Sequence, residues 1–272
     1  MRLAISNLAW VGRDGPPYEE YAAGLGVVGL EVAPTTLLGP DPASAPAAER
    51  AAVRERLTAT GLAITGVQSL YFGHPELQLL ATGADQRAFV EHTCRIADVC
   101  ADVGGTTMVF GAPGNRRRDG LPVTEAVQRA AETLHEVGTY CTTRGVVLVP
   151  EALSAEFGGD FVHTLAEAAD LVRRAESPGI GLHVDTGTSP PTQADGVDLT
   201  GLRSLQVSGG RKPLADTADQ RRWAEILVGA PENPGYDGWL SIELPPTSLS
   251  DADNRTRIRD AVALVRELYP WT

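Results

Sequence analysis

Short apolar segments alternate with longer amphipathic segments along the whole chain. The short segments are rich in Val, Ile and Leu, as buried strands are. The longer segments place apolar residues on one helical face, as Phe89, Ile96 and Val99 show. Glycines such as Gly61 and Gly145 follow several of these segments and end the helical pattern. The pattern therefore predicts strands and helices in strict alternation.

Eight strands are predicted, each followed by a helical or turn segment. The strands are residues 2–6, 28–32, 63–68, 107–110, 146–149, 181–184, 204–207 and 239–242. The helices are residues 17–25, 47–59, 85–103, 123–144, 161–175, 215–228 and 251–268, with a short helical piece at 198–202. Ser250 or Asp251 is the expected N-cap of the last helix.

This alternation predicts a parallel sheet with crossover helices. The 272 residues suit a closed (β/α)8 TIM barrel, which has about 250 residues in its usual form. An open doubly wound sheet is the alternative, and it needs a glycine-rich turn after the first strand. Residues 6–10 read SNLAW instead. We therefore predict one α/β domain, a TIM barrel, over residues 1–272.

The charge balance argues against two classes of partner. The chain has 23 Lys and Arg against 35 Asp and Glu, a net charge of −12. Such a chain is poorly suited to nucleic acid or to an anionic membrane surface. We find no signal peptide, no apolar run long enough to span a membrane, and three cysteines without a CxxC pair. We expect a cytoplasmic protein with reduced thiols that binds a small-molecule substrate.

Candidate chemistry lies at the carboxyl ends of the predicted strands, where TIM barrels hold their active sites. Glu31, Glu151, Asp185 and Glu243 each end or follow an apolar strand. Carboxylates that converge on one barrel mouth repel one another unless protons or a cation neutralise them. A hard divalent cation with oxygen ligands would do so.

Five stretches of the sequence resemble one known family. They read NLAW at 7–10, GLEVAP at 29–34, FGAPGNR at 110–116, LHVDTG at 182–187 and YDGWLSIE at 236–243. In this order they resemble the xylose isomerase-like TIM barrels, which include sugar and sugar-phosphate isomerases and epimerases and the endonuclease IV group. The resemblance spans nearly the whole chain and is more specific for fold than for substrate. An endonuclease is disfavoured because that group needs several metal ions, many histidines and a basic groove.

The resemblance implies a divalent metal, most often Mn²⁺, held by Glu, Asp, His and Glu on strands five to eight. The matching positions here are Glu151, Asp185, Gln206 and Glu243. Gln206 departs from the family histidine. Its amide oxygen is neutral and a weaker donor for transition metals, so the set favours Mn²⁺ or Mg²⁺ over Zn²⁺. Loss of the metal stays open as the alternative.

The resemblance also implies catalytic roles. In the family mechanism two glutamates on opposite faces transfer a proton through an enediolate, and Glu151 and Glu243 match them. His183 shares the inward face with Asp185, two residues away, and is the third catalytic candidate. The substrate-binding candidates lie in loops at the same end: Glu156, Arg211, Lys212, Trp10, Tyr71 and Asn115.

The sequence thus predicts an isomerase or epimerase for a small sugar-like α-hydroxy carbonyl compound. A metal-independent lyase, dehydratase or cyclase of specialised metabolism is the alternative, and a non-catalytic ligand-binding barrel is a third reading. Relatives of this kind often form homodimers, so a homodimer is the protein partner that the resemblance suggests.

Overall fold

Eight parallel strands curve around one axis in the computed structural model, which describes residues 1–13, 15–229 and 236–270. Strands that are neighbours in chain order pair with each other, except the fifth and the sixth, and the first also pairs with the last. The strands are β1 (Arg2–Ser6), β2 (Gly29–Val32), β3 (Ala63–Val67), β4 (Thr107–Phe110), β5 (Val147–Pro150), β6 (Leu182–Asp185), β7 (Leu202–Val207) and β8 (Trp239–Ile242).

The barrel closes between β5 and β6 through a single bridge, Leu148 to Ile180. The amide of Leu148 donates to the carbonyl of Gly179 at 2.9 Å, and the amide of Gly181 donates to the carbonyl of Leu148 at 3.0 Å. These bonds form just before β6 begins. The predicted TIM barrel is therefore confirmed, with one short seam in its ladder.

Helices cover the outside of the barrel, and their apolar faces pack on the outward side chains of the strands. The three cysteines are free thiols, two of them buried. No helix in the described part of the chain is both long and apolar enough to cross a membrane. The helices are α1 (Gly15–Gly24), α2 (Thr35–Leu38), α3 (Ala47–Ala59), α4 (Gly83–Val103), α5 (Val123–Arg144), α6 (Leu165–Ala175), α7 (Ala218–Gly229) and α8 (Asp251–Leu268).

Most predicted helix boundaries lie within two residues of the observed ones, but two predicted helix starts and one predicted helical piece are wrong by more. The helix predicted from residue 161 begins at Leu165, because Thr164 and Glu167 form a capping box there. The piece predicted at 198–202 is not helical; the helical turn lies earlier, at Pro191–Ala194, and Leu202 already belongs to β7. The helix predicted from residue 215 begins at Ala218. Ser250 is confirmed as the N-cap of α8, since its hydroxyl accepts from the amide of Asp253.

The packing at the seam between β5 and β6 requires a glycine at position 179. A Cβ atom at this position would overlap the backbone carbonyl of Gly138 on α5. We expect Gly179→Ala to lower the free energy of unfolding by about 1–3 kcal/mol, measured by urea denaturation. Gly201→Ala is the matched control, because a Cβ there meets open space. Equal stability of the two variants would contradict this packing at the seam.

Candidate active site

Three carboxylates reach the barrel mouth from different strands, and a fourth, Glu31, lies deeper in the barrel and lines a cavity towards its amino end. Glu31 lies on β2, Glu151 follows β5, Asp185 ends β6 and Glu243 follows β8. The first three are buried and Glu243 is half-buried. Strand alternation explains their convergence, because every second side chain of a barrel strand points inward. The mouth is therefore strongly acidic.

Glu31 is the centre of a hydrogen-bond network on the barrel axis. Its Oε2 atom accepts from Nε2 of Gln206 at 2.7 Å, Oγ of Ser241 at 2.9 Å and Nε2 of Gln68 at 3.4 Å. Nε2 of Gln68 also donates to Oγ of Ser6 at 2.6 Å. Burial raises the pKa of Glu31, and the bonds from Gln206 and Ser241 oppose that rise in part. Glu31 of β2 thus joins side chains of β7 and β8 to Gln68 just after β3, and Gln68 extends the network to Ser6 of β1.

Glu151 is held by neighbours from two loops. Its Oε1 atom accepts from Oγ1 of Thr188 at 3.2 Å, and a Cβ atom at Gly111 would overlap its Oε2 atom. Buried Arg116 donates from Nη1 to the backbone carbonyl of Glu151 at 2.6 Å. Burial, with a further contribution from Asp185, raises the pKa of Glu151 to about 8 although Arg116 acts against the rise. Glu151 can therefore exchange a proton near neutral pH.

Asp185 and Glu243, the other two carboxylates, differ in their surroundings. Oδ1 of Asp185 accepts from Oγ of Ser208 at 2.7 Å and from the amide of Gly187 at 2.8 Å. Burial still raises the pKa of Asp185 to about 6. Burial, and then the charges of Asp185 and Glu151, raise the pKa of Glu243 well above its usual range. These groups disfavour one another's ionised forms, so the mouth favours bound protons or a cation.

His183 lies one layer below Asp185, and β6 pairs it with Ser204 of β7. Burial lowers the pKa of His183 to about 3, against a smaller opposing effect of Gln206, so the imidazole is neutral. Within the described residues neither ring nitrogen makes a well-formed hydrogen bond. His183 is therefore a neutral group buried in the barrel interior, and it does not line the cavities at the mouth.

The donor set suits a hard divalent cation chemically. The carboxylates of Glu151, Asp185 and Glu243 line the same cavity, and the Oε1 atom of Gln206 is buried without a partner in the described part of the chain. Yet no group of three His, Cys, Asp or Glu side chains among the described residues is close enough to form a ready metal site. Nε2 of Gln206 is directed to Glu31, and Gln206 is not among the residues that line this cavity, so the structure brings three of the four predicted ligands together.

Three cavities open at this end of the barrel, and the first two share Gly111, Pro113, Glu151 and Glu243. The aromatic cavity, about 400 Å³, is also lined by Leu8, Gln68, Ser69, Leu70, Tyr71, Phe72, Val109, Phe110, Ala112, Gly114 and Asn115. The carboxylate cavity, about 340 Å³, is also lined by Leu153, Phe157, Asp185, Thr188, Ser208, Gly210 and Pro245. The outer cavity, about 290 Å³, includes Glu156, Phe157, Arg211, Lys212 and Gln220.

The predicted substrate-binding residues fall into three groups. Tyr71 and Asn115 line the aromatic cavity. Glu156, Arg211 and Lys212 are exposed and line the outer cavity. The Arg211 guanidinium donates to the backbone carbonyl of Glu156.

Trp10, the remaining candidate, does not reach any of these cavities. It lies in the 3₁₀ segment Asn7–Trp10 after β1 and is buried. Its ring stacks on that of Tyr18 in α1, with centroids 5.8 Å apart and an angle of 13° between the planes. The indole is therefore part of the packing between the barrel and α1. The prediction that it contacts substrate is corrected.

Several residues of the site received no role from the sequence. Glu31 was visible as a strand-end carboxylate, but nothing in the sequence shows that Gln206 donates to it. Ser241 and Ser208 lie two positions from Glu243 and Gln206, so strand alternation places them on the same inward face. Strand alternation therefore predicts that both serines point inward. Serine is too common at such positions for this pattern alone to assign it a role.

Comparison with known proteins places the chain in a family. The model of the family described as xylose isomerase-like TIM barrel matches residues 20–189. No curated protein matches the chain.

Solved structures share the whole fold. A D-psicose 3-epimerase determined in the presence of D-fructose has 17% identity and a TM-score of 0.75, with 99% of each chain covered. A D-psicose 3-epimerase with D-tagatose from Clostridium cellulolyticum H10 has 15% identity and a TM-score of 0.76, with the same coverage. The 3-keto-D-glucoside 4-epimerase YcjR from E. coli has 17% identity and a TM-score of 0.73 over 98% of this chain and 99% of that one. At these identities the likeness shows the fold.

The raised pKa of Glu151 predicts how stability depends on pH. A carboxyl group with a higher pKa in the folded chain binds its proton more tightly when folded. Its contribution to stability is therefore lost as the pH rises from about 4.5, its ordinary pKa, through about 8. With a chelator present, we expect the thermal midpoint to fall over this range. Glu151→Gln should weaken the fall, whereas Glu55→Gln, on an exposed position of α3, should leave it unchanged. An unchanged slope in Glu151→Gln would contradict the assignment.

Proposed function

This chain belongs to the xylose isomerase-like TIM barrel family, and from that premise we propose that it isomerises or epimerises a small sugar-like α-hydroxy carbonyl compound. The observation that carries the proposal is the pair Glu151 and Glu243, which line both of the cavities that meet at the barrel mouth. The epimerases of D-psicose and of 3-keto-D-glucosides that share this fold are consistent with it.

The reaction needs one group that removes a proton and one that supplies a proton. A hydrogen on the carbon beside a carbonyl is weakly acidic, so its removal requires a well-placed base and stabilisation of the enediolate. A carboxyl group with a pKa near neutrality is suited to both directions of transfer. Glu151, whose pKa burial raises to about 8, and Glu243, whose pKa is also raised, meet this requirement. One carboxylate takes the α-proton on one face, and the other carboxyl group returns a proton on the opposite face.

We propose that Mn²⁺ or Mg²⁺ is the cofactor, held by Glu151, Asp185, Glu243 and the amide oxygen of Gln206. Such a cation would supply positive charge that stabilises the enediolate oxygens. The chain itself orients two of these ligands. Glu31 accepts from the amide nitrogen of Gln206 and so fixes which end of the amide stays available. Ser208 and Gly187 both donate to one oxygen of Asp185 and so orient the carboxylate.

The exposed loop residues would contact the far end of the substrate. Arg211 and Lys212 carry positive charge at the edge of the outer cavity, and Glu156 lies on the opposite loop. Arg211 also lies over the ring of Phe157, 5.2 Å from its centroid. This arrangement suits a hydroxyl or anionic group at a distance from the reacting carbon.

A metal-independent lyase, dehydratase or cyclase is the second candidate. It is favoured by the bond between Gln206 and Glu31, which engages the residue that replaces the family histidine. In that case protons bound to the carboxyl groups with raised pKa would neutralise the mouth. Glu151 and Glu243 would then act as acid and base without a cation.

Exchange of the α-hydrogen with solvent tests the acid and base assignment. We expect the wild-type protein to incorporate deuterium from D₂O at the α-carbon of a ketose such as D-fructose or D-tagatose, detected by NMR. Glu151→Gln and Glu243→Gln should each slow this exchange by about 100-fold or more while the fold is kept, as general acid–base groups do. Glu55→Gln is the control and should exchange like the wild type. Wild-type rates in both glutamine variants would sink the assignment.

Metal uptake separates the two candidate functions. We expect the wild type to bind Mn²⁺ in a titration followed by electron paramagnetic resonance, and Asp185→Asn to lose that binding. Gln206→His should bind Mn²⁺ about tenfold more tightly or better, since imidazole is the stronger donor. Uptake by Gln206→His together with none by the wild type would instead support the metal-independent chemistry.

A further inference from the structure

The aromatic cavity and the carboxylate cavity meet at Glu151 and Glu243 but differ in chemistry. On the carboxylate side, Asp185, Thr188 and Ser208 offer oxygen atoms to a ligand. On the aromatic side the lining is mostly apolar, and it includes the side chains of Leu8, Leu70, Tyr71, Phe72, Val109, Phe110, Ala112 and Pro113. A ligand that reaches both cavities from the two glutamates therefore meets two unlike environments.

The two amide side chains that line the aromatic cavity have already engaged their N–H donors. Nδ2 of Asn115 donates to the carbonyls of His74 at 2.7 Å and Leu77 at 2.8 Å. Nε2 of Gln68 is engaged by Ser6 and Glu31, as described above.

The hydroxyl of Tyr71 is engaged as well. It lies 2.8 Å from Oγ1 of Thr93, and Thr93 itself donates to the carbonyl of Phe89, so Tyr71 is the donor to Thr93. Half-exposed Ser69 alone, among the described side chains here, keeps a hydroxyl without a partner. Away from the two glutamates, the side chains of this cavity therefore offer a sugar hydroxyl few free donors, and burial of a hydroxyl without its partners is unfavourable.

Aromatic rings offer the alternative interaction. Phe72 lines the cavity and is 71% exposed, so its ring is available to a ligand there. Behind it, the rings of Tyr71 and Phe110 have centroids 4.8 Å apart at an angle of 60°. A further planar or apolar ring would pack against this wall.

We infer that the substrate carries, beside its α-hydroxy carbonyl group, an apolar substituent about the size of an aromatic ring, which binds in the aromatic cavity. The inference rests on the proposed function for the reacting end of the molecule. The reacting carbon lies at Glu151 and Glu243, hydroxyls face the carboxylate cavity, and the apolar group occupies the space between Phe72 and Gly114. A free ketose fills only the polar part of this arrangement.

A matched pair of probes tests this preference. The probes are 1-hydroxy-4-phenylbutan-2-one and 1-hydroxybutan-2-one, which share the reacting end and differ by the phenyl group. We expect the Mn²⁺-loaded protein to bind the phenyl compound at least about tenfold more tightly by calorimetry, since burial of a ring in an apolar cavity is favourable. Equal affinities would overturn the inference.

Two variants show whether the preference arises in the aromatic cavity. Gly114 lines it, and a Cβ there meets open space, so Gly114→Leu should fold and fill the cavity. We expect this variant to lose the preference for the phenyl compound, whereas Gly201→Leu, at a position equally open but outside the cavity, should keep it. Phe72→Ala should weaken binding of the phenyl compound by about 3- to 10-fold and leave the other compound unchanged. A preference retained in both Gly114→Leu and Phe72→Ala would contradict the placement.

Deuterium exchange on the same two compounds separates the two proposals. Exchange at C1 of both compounds with equal affinities would support the proposed function and overturn the apolar subsite. A phenyl preference that Gly114→Leu abolishes, with no exchange above that of Glu151→Gln, would support the subsite and count against the proposed function.

Discussion

The hydrogen bonds to Glu31 are the interaction on which the interior of the barrel depends. One buried oxygen of Glu31 accepts from Gln206, Ser241 and Gln68, which come from or directly follow β7, β8 and β3. A buried carboxyl group without such partners would be strongly unfavourable. With them, it joins side chains from different sides of the barrel, deeper than the three carboxylates of the mouth. The amide nitrogen of Gln206 is thereby turned to Glu31.

The second constraint is electrostatic. Glu151, Asp185 and Glu243 share one cavity, and burial together with their mutual repulsion raises the pKa of the two glutamates. Arg116 offsets the charge only in part, because it contacts the backbone of Glu151 and two of its nitrogens have no partner among the described groups. A mouth of this kind holds protons or a cation at neutral pH, and either one prepares it for proton transfer. The same excess of negative charge therefore lowers the stability of the folded chain at high pH and supplies the groups for the proposed proton transfer.

The sequence predicts the barrel well because periodicity and glycine stops act locally. The strands Arg2–Ser6, Thr107–Phe110 and Trp239–Ile242 have the predicted bounds, as does the helix Val123–Arg144. The start of α6 was predicted too early because Phe161 and Val162 are apolar, but they are buried in a loop ahead of the capping box. Local pattern does not distinguish an apolar loop under a helix from the helix itself.

The site was predictable to the level of strand ends but not of side-chain partners. Strand alternation brings Glu151, Asp185 and Glu243 to one cavity. It does not reveal that Gln206 turns its nitrogen to Glu31, since that bond joins residues 175 positions apart in the chain. Nor does it reveal that Trp10 packs on Tyr18, because an aromatic residue in a loop has the same local signature whether it faces ligand or core.

The seam between β5 and β6 lies next to two of the carboxylates of the site. The barrel is joined between β5 and β6 by a single bridge, and these two strands carry Glu151 and Asp185. Elsewhere around the barrel, neighbouring strands share two to four paired residues. The spacing of these two carboxylates therefore depends less on the strand ladder than on the packing beside it, where Gly179 lies against the backbone of Gly138 in α5. A substitution on the outer helical layer can in this way change the distance between two charges inside the barrel.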